Sequence, residues 1–162
     1  MKILGVDPGI ARTGWGVIEV QSSKFKVQSY GCVETSANVE PSERLRQIYK
    51  SIGAIIKKYK PDAMAVEELF FNTNAKTAFI VGQARGVVLL AAAEKNVSVT
   101  TYTPLQVKIA VTGYGRAEKN QIGQMVKVLL KLKEIPKPDD VADALAVALT
   151  HAFSIKFKDI SS

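Results

Sequence analysis

Four acidic residues stand where an acid is costly. "KILGVD" runs apolar up to Asp7, "MAVE" runs apolar up to Glu67, and "DDVADALAVALTHA" carries Asp140 and Asp143 three residues apart. An unpaired carboxylate at the end of a buried run costs several kcal/mol or takes up a proton. Acids three apart share one face of a helix. Asp139 or Asp140 could simply cap that helix, and acids in a first turn favour its dipole. That simpler account covers the pair but leaves Asp7 and Glu67 unexplained. Anions gathered at one edge repel unless a divalent cation compensates them. There is no His and Cys cluster to suggest zinc; His151 is the only histidine and reads as a surface residue near a helix end. An all-oxygen donor set favours magnesium, with manganese as a substitute. Two such ions roughly 4 Å apart position a water and stabilise both oxygens of an in-line phosphoryl displacement.

Such chemistry needs elements that bring the acids together. Strands are expected over 2–7, 14–20 and 25–34, with Pro8-Gly9 turning the chain between the first two. Residues 41–59 read as a helix: Ser42 is placed to cap it, Leu45, Ile48, Ile52, Ile55 and Ile56 form a stripe, and Pro61 lies beyond its end. A short buried strand follows at 62–67, then a long apolar helix from about Ala75 to Lys95 and a strand at 97–103. Two more helices are expected near 118–132 and 139–153. This order describes one α/β domain over residues 1–153, a mixed sheet with helices on both faces, and a short polar tail at 154–162. If the first and fourth strands are parallel neighbours, Asp7 and Glu67 emerge at the same carboxyl edge. Open α/β sheets place their ligands there.

The bulk properties are compatible with phosphoryl chemistry on a polyanion. A chain of 162 residues, 47% hydrophobic, suits one domain with a sizeable core. No apolar run reaches the ~18–20 residues of a membrane span. The N-terminus lacks a signal peptide's apolar region, and the single Cys32 excludes an internal disulfide, so a cytoplasmic location is expected. Net charge is +7, which favours a polyanionic partner. Between residues 95 and 137 stand Lys95, Lys108, Arg116, Lys119, Lys127, Lys131, Lys133 and Lys137, opposed only by Glu118 and Glu134. They read either as a solvated face or as a surface that tracks phosphates. Within them "TGYGRAEK" is a glycine loop bearing Arg116 and Lys119.

Two apolar features ask for partners. Phe70 and Phe71 sit in the polar stretch "EELFFNTN"; one packs on the sheet, and the other is free to stack on an unpaired base. The helix from Ala75 is apolar around most of its circumference, and Gly82 and Gly86, four apart, allow close approach by a second helix. Small residues at that spacing also occur in ordinary cores; the expectation adopted is a homodimer interface.

"GVDPGIARTGWGV", "AVEELFFNTNAKTA", "GQARGV", "AEKNQIGQMV" and "DDVADALAVALTHA" together resemble the motifs of the RuvC family of crossover junction endodeoxyribonucleases, in the same order from Lys2 to about Ala152. The resemblance implies a ribonuclease H-like fold with a five-stranded mixed sheet. It implies a homodimeric Holliday junction resolvase of recombination and DNA repair, making paired symmetrical nicks in four-way junctions with 5′-phosphate and 3′-hydroxyl ends. The family's acids match Asp7, Glu67, Asp140 and Asp143, with two magnesium ions expected per subunit. Some members carry histidine where this chain has Asp140, and the division of roles between Asp140 and Asp143 stays open. The family's DNA-contacting residues match Phe70, Lys108 and Lys119, and the RuvA–RuvB branch-migration complex is the implied partner. The residues alone leave three other readings open: a noncatalytic junction-binding module, an ATPase of the actin and sugar-kinase type, and another nuclease of the same fold. The second needs two lobes, for which the chain is short.

Overall fold

A computed structural model describes residues 1–22, 24–68 and 74–160, with side chains as far as Ile155. The elements are β1 (Lys2–Asp7), β2 (Arg12–Gln21), β3 (Lys24–Glu34), α1 (Pro41–Tyr59), β4 (Ala63–Glu67), α2 (Ala75–Glu94), β5 (Ser98–Tyr102), α3 (Pro104–Thr112), α4 (Lys119–Leu129) and α5 (Asp139–Ile160). The sheet runs β3-β2-β1-β4-β5. β1, β2 and β3 pair antiparallel, whereas β4 and β5 add in parallel to β1. The strand bearing Asp7 is therefore central, and β4 is its parallel neighbour, as expected.

Strand alternation divides the core in two. Leu4 and Val6 of β1, Val17 of β2, and Met64 and Val66 of β4 pack against Ile48, Ile52 and Ile56 of α1 and Ala84, Val88, Ala91 and Ala92 of α2. Ile3, Ile18 and Ala65 point the other way, onto Val141, Leu145, Leu149 and their neighbours on α5, with α3 and α4 completing that layer. Odd-numbered residues of β1 and β4 thus face α5, and this parity carries Asp7 and Glu67 to the same side.

Four local expectations differ from the structure. The helix α3 was not expected: its nine residues are too few for a clear apolar stripe, and its signals are the Thr103–Gln106 capping box and Pro104 at its start. Ser42 does not cap α1; Glu40 occupies the cap position, without a side-chain capping bond, and Pro41 begins the helix. The last helix runs on through Ile160 rather than ending near 153, since "SIKFKDI" contains neither glycine nor proline to stop it. His151 is not a surface residue: it is 8% exposed, and its Nδ1 lies 2.8 Å from the Tyr102 hydroxyl, because α5 crosses the end of β5 there.

Candidate active site

Backbone, not side chain, sets how near α5 comes to the sheet. A Cβ on Gly5 would overlap the carbonyl oxygen of Ala144, one on Gly14 would overlap that of Asp140, and one on Gly16 would run into the Leu145 side chain. All three glycines therefore let the helix lie directly on β1 and β2. Asp7 pairs in register with Gly14, and Val6 with Val66 one step before the two strand-end acids. The first turns of α5 consequently hang over the carboxyl ends of β1 and β4. Asp140 and Asp143 meet Asp7 and Glu67 there.

The electrostatics of these groups are those of crowded, half-buried acids. Asp7 is pushed up to about 9, first by burial, then by the charges of Glu67, Asp143 and Asp140, with Glu67 within hydrogen-bonding reach. Glu67 is also raised, by burial and by Asp143, while Asp7, Lys119 and Lys108 oppose the rise. Burial and mutual repulsion thus raise both carboxyls, Asp7 the further of the two. Burial raises Asp143 as well, against the pull of Lys119. Lys119 is itself raised, chiefly by Asp143, whose carboxylate lies 3.7 Å from its Nζ.

Among the described residues, no three acids, histidines or cysteines close on one point as a ready-made metal centre. Asp143 leans on Lys119, and Asp140 lies 3.9 Å from the Arg12 guanidinium. The donor chemistry nevertheless fits a hard divalent cation. The ligands on offer are carboxylate oxygens, and their mutual repulsion is the condition that a cation relieves.

The other expected residues are distributed around this edge. Lys108 is half-buried on α3, and its charge acts on Glu67. Lys119 is the first residue of α4. Arg116 is exposed on the preceding loop and forms no salt bridge among the described residues. Phe70 lies outside the described residues. Asp139 and Asp140 both fall in the first turn of α5. Gly82 and Gly86 lie away from the acids on α2, where Gly82 is half-buried and Gly86 exposed. An open cleft of ≈ 320 Å³ runs beside Asp143 between α4 and α5, lined in part by Lys119, Asn120 and Lys137. Sequence reasoning did not single out Arg12, whose neighbour Asp140 is brought to it only by the packing of α5 on β2.

The same geometry has known relatives. The family model for crossover junction endodeoxyribonuclease RuvC matches residues 3–151. The chain belongs to the RuvC family. A crossover junction endodeoxyribonuclease RuvC of Desulforamulus reducens is 60% identical over 152 residues, covering 94% of this chain and 93% of the relative. The structure of Thermus thermophilus RuvC superposes with a TM-score of 0.91 at 41% identity, covering 98% of this chain and 97% of that one. Thermus thermophilus RuvC in complex with Holliday junction substrate gives 0.89 at 39% identity, over 97% and 96% of the two chains. The fold is accordingly ribonuclease H-like.

Proposed function

We propose that this chain is a Holliday junction resolvase, a metal-dependent endonuclease that nicks four-way DNA junctions in symmetrical pairs and leaves 5′-phosphate and 3′-hydroxyl ends. Its setting is homologous recombination and DNA repair. One observation carries the reading: in a RuvC-family chain, acids from two strand ends and from α5 converge beside two lysines.

Asp7, Glu67, Asp140 and Asp143 are the residues that would hold divalent cations, two magnesium ions per subunit, with manganese as a substitute. Bound there, the cations supply an activated water and neutralise charge on the phosphodiester. Asp7, on the central strand, faces the acids of both β4 and α5 and would be a ligand for the cations held there. Lys119 and Lys108 reach the same edge from α4 and α3 and would stabilise negative charge developing on the phosphate. Arg116 and the remaining basic residues between 95 and 137 extend a surface for the DNA backbone. Phe70, one of the family's junction-contacting positions, would stack on an unpaired base.

A four-way junction offers two equivalent strands, so its resolution requires two active sites related by a two-fold axis. The helix α2 supplies a face for that pairing: Phe79 is 69% exposed and Leu90 52%, with Gly82 and Gly86 between them on the same side. By length and composition alone α2 could cross a membrane, its most apolar window having a mean hydropathy of 1.3. Packing of its other side on α1 favours the protein interface. The enzyme would act in the cytoplasm, where the RuvA–RuvB branch-migration complex is the partner that family membership suggests.

A substrate panel tests the function. Four-way, forked, linear and RNA–DNA hybrid molecules are incubated with the enzyme in magnesium or in chelator. Paired nicks confined to the four-way substrate and to magnesium are expected. Preferential cutting of the hybrid would make this a different nuclease of the same fold, and binding without any nicking would make it a junction-binding module.

A further inference from the structure

Two of the four acids are each met by a cation from outside. Lys119 approaches Asp143 from α4, and Arg12 approaches Asp140 from the start of β2 on the other flank. The backbone fixes the second meeting. Thr13 is locked in the turn, its hydroxyl donating to the Gly9 carbonyl at 2.7 Å and accepting from the Gly9 N–H at 3.3 Å. Gly14 is pressed against Asp140, and Arg12 shares its strand face. The guanidinium therefore emerges just beyond the first turn of α5.

Stability does not explain a cation at that place. A helix N-terminus carries positive partial charge and favours acids. The pair is long at 3.9 Å, and the Arg12 side chain is 56% exposed, so it adds little to folding. Across the strands Arg12 is registered with Glu34, and its approach to Asp140 is a single Nη1–Oδ2 contact rather than a bidentate one. A planar fork of this kind is suited to a phosphate and is only loosely held.

We infer that Arg12 is a positioning residue for the junction: it neutralises Asp140 until a divalent cation takes that carboxylate, and then grips a backbone phosphate on the β2–β3 side of the cut, opposite Lys119. This rests on the resolvase reading above, since it needs both a cation on Asp140 and a DNA strand across the site. Its signature is a phosphate contact that appears only with the cation.

The test compares wild type, Arg12→Ala and Arg12→Lys on one four-way junction. Junction affinity is measured against salt concentration, once in chelator and once in calcium. Manganese affinity is measured by calorimetry without DNA. With Arg12→Ala, the salt slope should match wild type in chelator and fall by about one in calcium. Manganese should bind about 2–5-fold tighter, because a competing charge has gone from Asp140. Arg12→Lys should keep the wild-type slope in both conditions, which separates lost charge from misfolding. An equal slope change in both conditions would make Arg12 ordinary basic surface, and no change in either would make it a structural ion pair; each overturns the inference. Failure of the wild type itself to bind manganese or nick junctions would instead overturn the resolvase reading.

Discussion

The helices α2 and α5 are both long and apolar, yet the fold treats them in opposite ways. From Ala144 to Leu149 every residue of α5 is 0% exposed. That helix lies in the middle of the molecule, on the glycines of β1 and β2 and beneath α3 and α4. On α2 only Ala84, Val88, Ala91 and Ala92 are buried, and Phe79 and Leu90 face solvent. Apolar composition alone does not say which layer a helix occupies. Burying α5 holds its two acids against those of the sheet, whereas one side of α2 stays open, the surface proposed above for a second subunit. On the proposed reading, one helix serves chemistry and the other assembly.

If that division is right, the largest effect belongs to the acid on which α5 closes. Asp7→Asn should lower nicking in magnesium by several orders of magnitude, because a neutral amide is a far poorer ligand than a carboxylate for the proposed cations. Gel-shift affinity for the junction in chelator should be unchanged or higher, since one charge facing the phosphates has been removed. Near-normal nicking would end the proposed role of Asp7.

Glycine substitutions sharpen the contrast next. Gly14→Val should cost on the order of 4 kcal/mol or more, read as loss of the cooperative thermal transition, because its Cβ would overlap the backbone of α5. Gly86→Ala should stabilise the monomer by about 0.5–1 kcal/mol, since a Cβ there meets nothing within 4 Å and glycine is a poor helix former. Equal costs at the two sites would erase the difference between the helices.

The assembly half is probed by Gly86→Glu and Phe79→Lys. Both should fold and sediment as monomers at concentrations where the wild type is expected to sediment as a dimer, with junction nicking lost as paired events. A folded Gly86→Glu protein that still sediments as a dimer would remove α2 from the interface.

The smallest effect is on acidity. The folded-state pKa of Asp7 lies above its ordinary value, so the metal-free native protein keeps a proton that the unfolded chain releases. The resulting stability is fully present below the ordinary value of 3.8 and is lost as pH rises towards about 9. Glu67 and Asp143 are raised too and act in the same direction. In chelator, Tm should therefore fall across this window. Asp7→Asn should flatten the decline and raise Tm by roughly 5 °C at pH 8. A wild-type Tm that climbs with pH, unaltered by Asp7→Asn, would show that the acids are not crowded.

Much of this site was legible from local pattern. Each strand-end acid closes an apolar run, and the helix acids show their spacing directly, so Asp7, Glu67, Asp140 and Asp143 could be picked out before any fold was known. Strand alternation and helix periodicity are local properties, which is why β1, β4, α1 and α2 were found near their observed limits. What could not be read locally depends on groups far apart in the chain. The raised pKa of Asp7 comes from burial and from Glu67 and Asp143, and neither the depth nor the neighbours exist until β1, β4 and α5 have packed. Gly5, Gly14 and Gly16 look like ordinary strand glycines until a helix is pressed onto them. His151 passes for a surface residue until Tyr102 meets it, and Arg12 passes for a turn cation until Asp140 is delivered to it from the other end of the sequence. Residue types and spacings set which chemistry was available; long-range packing alone decided which charges would have to share a few ångströms of space, and that proximity is what perturbs them.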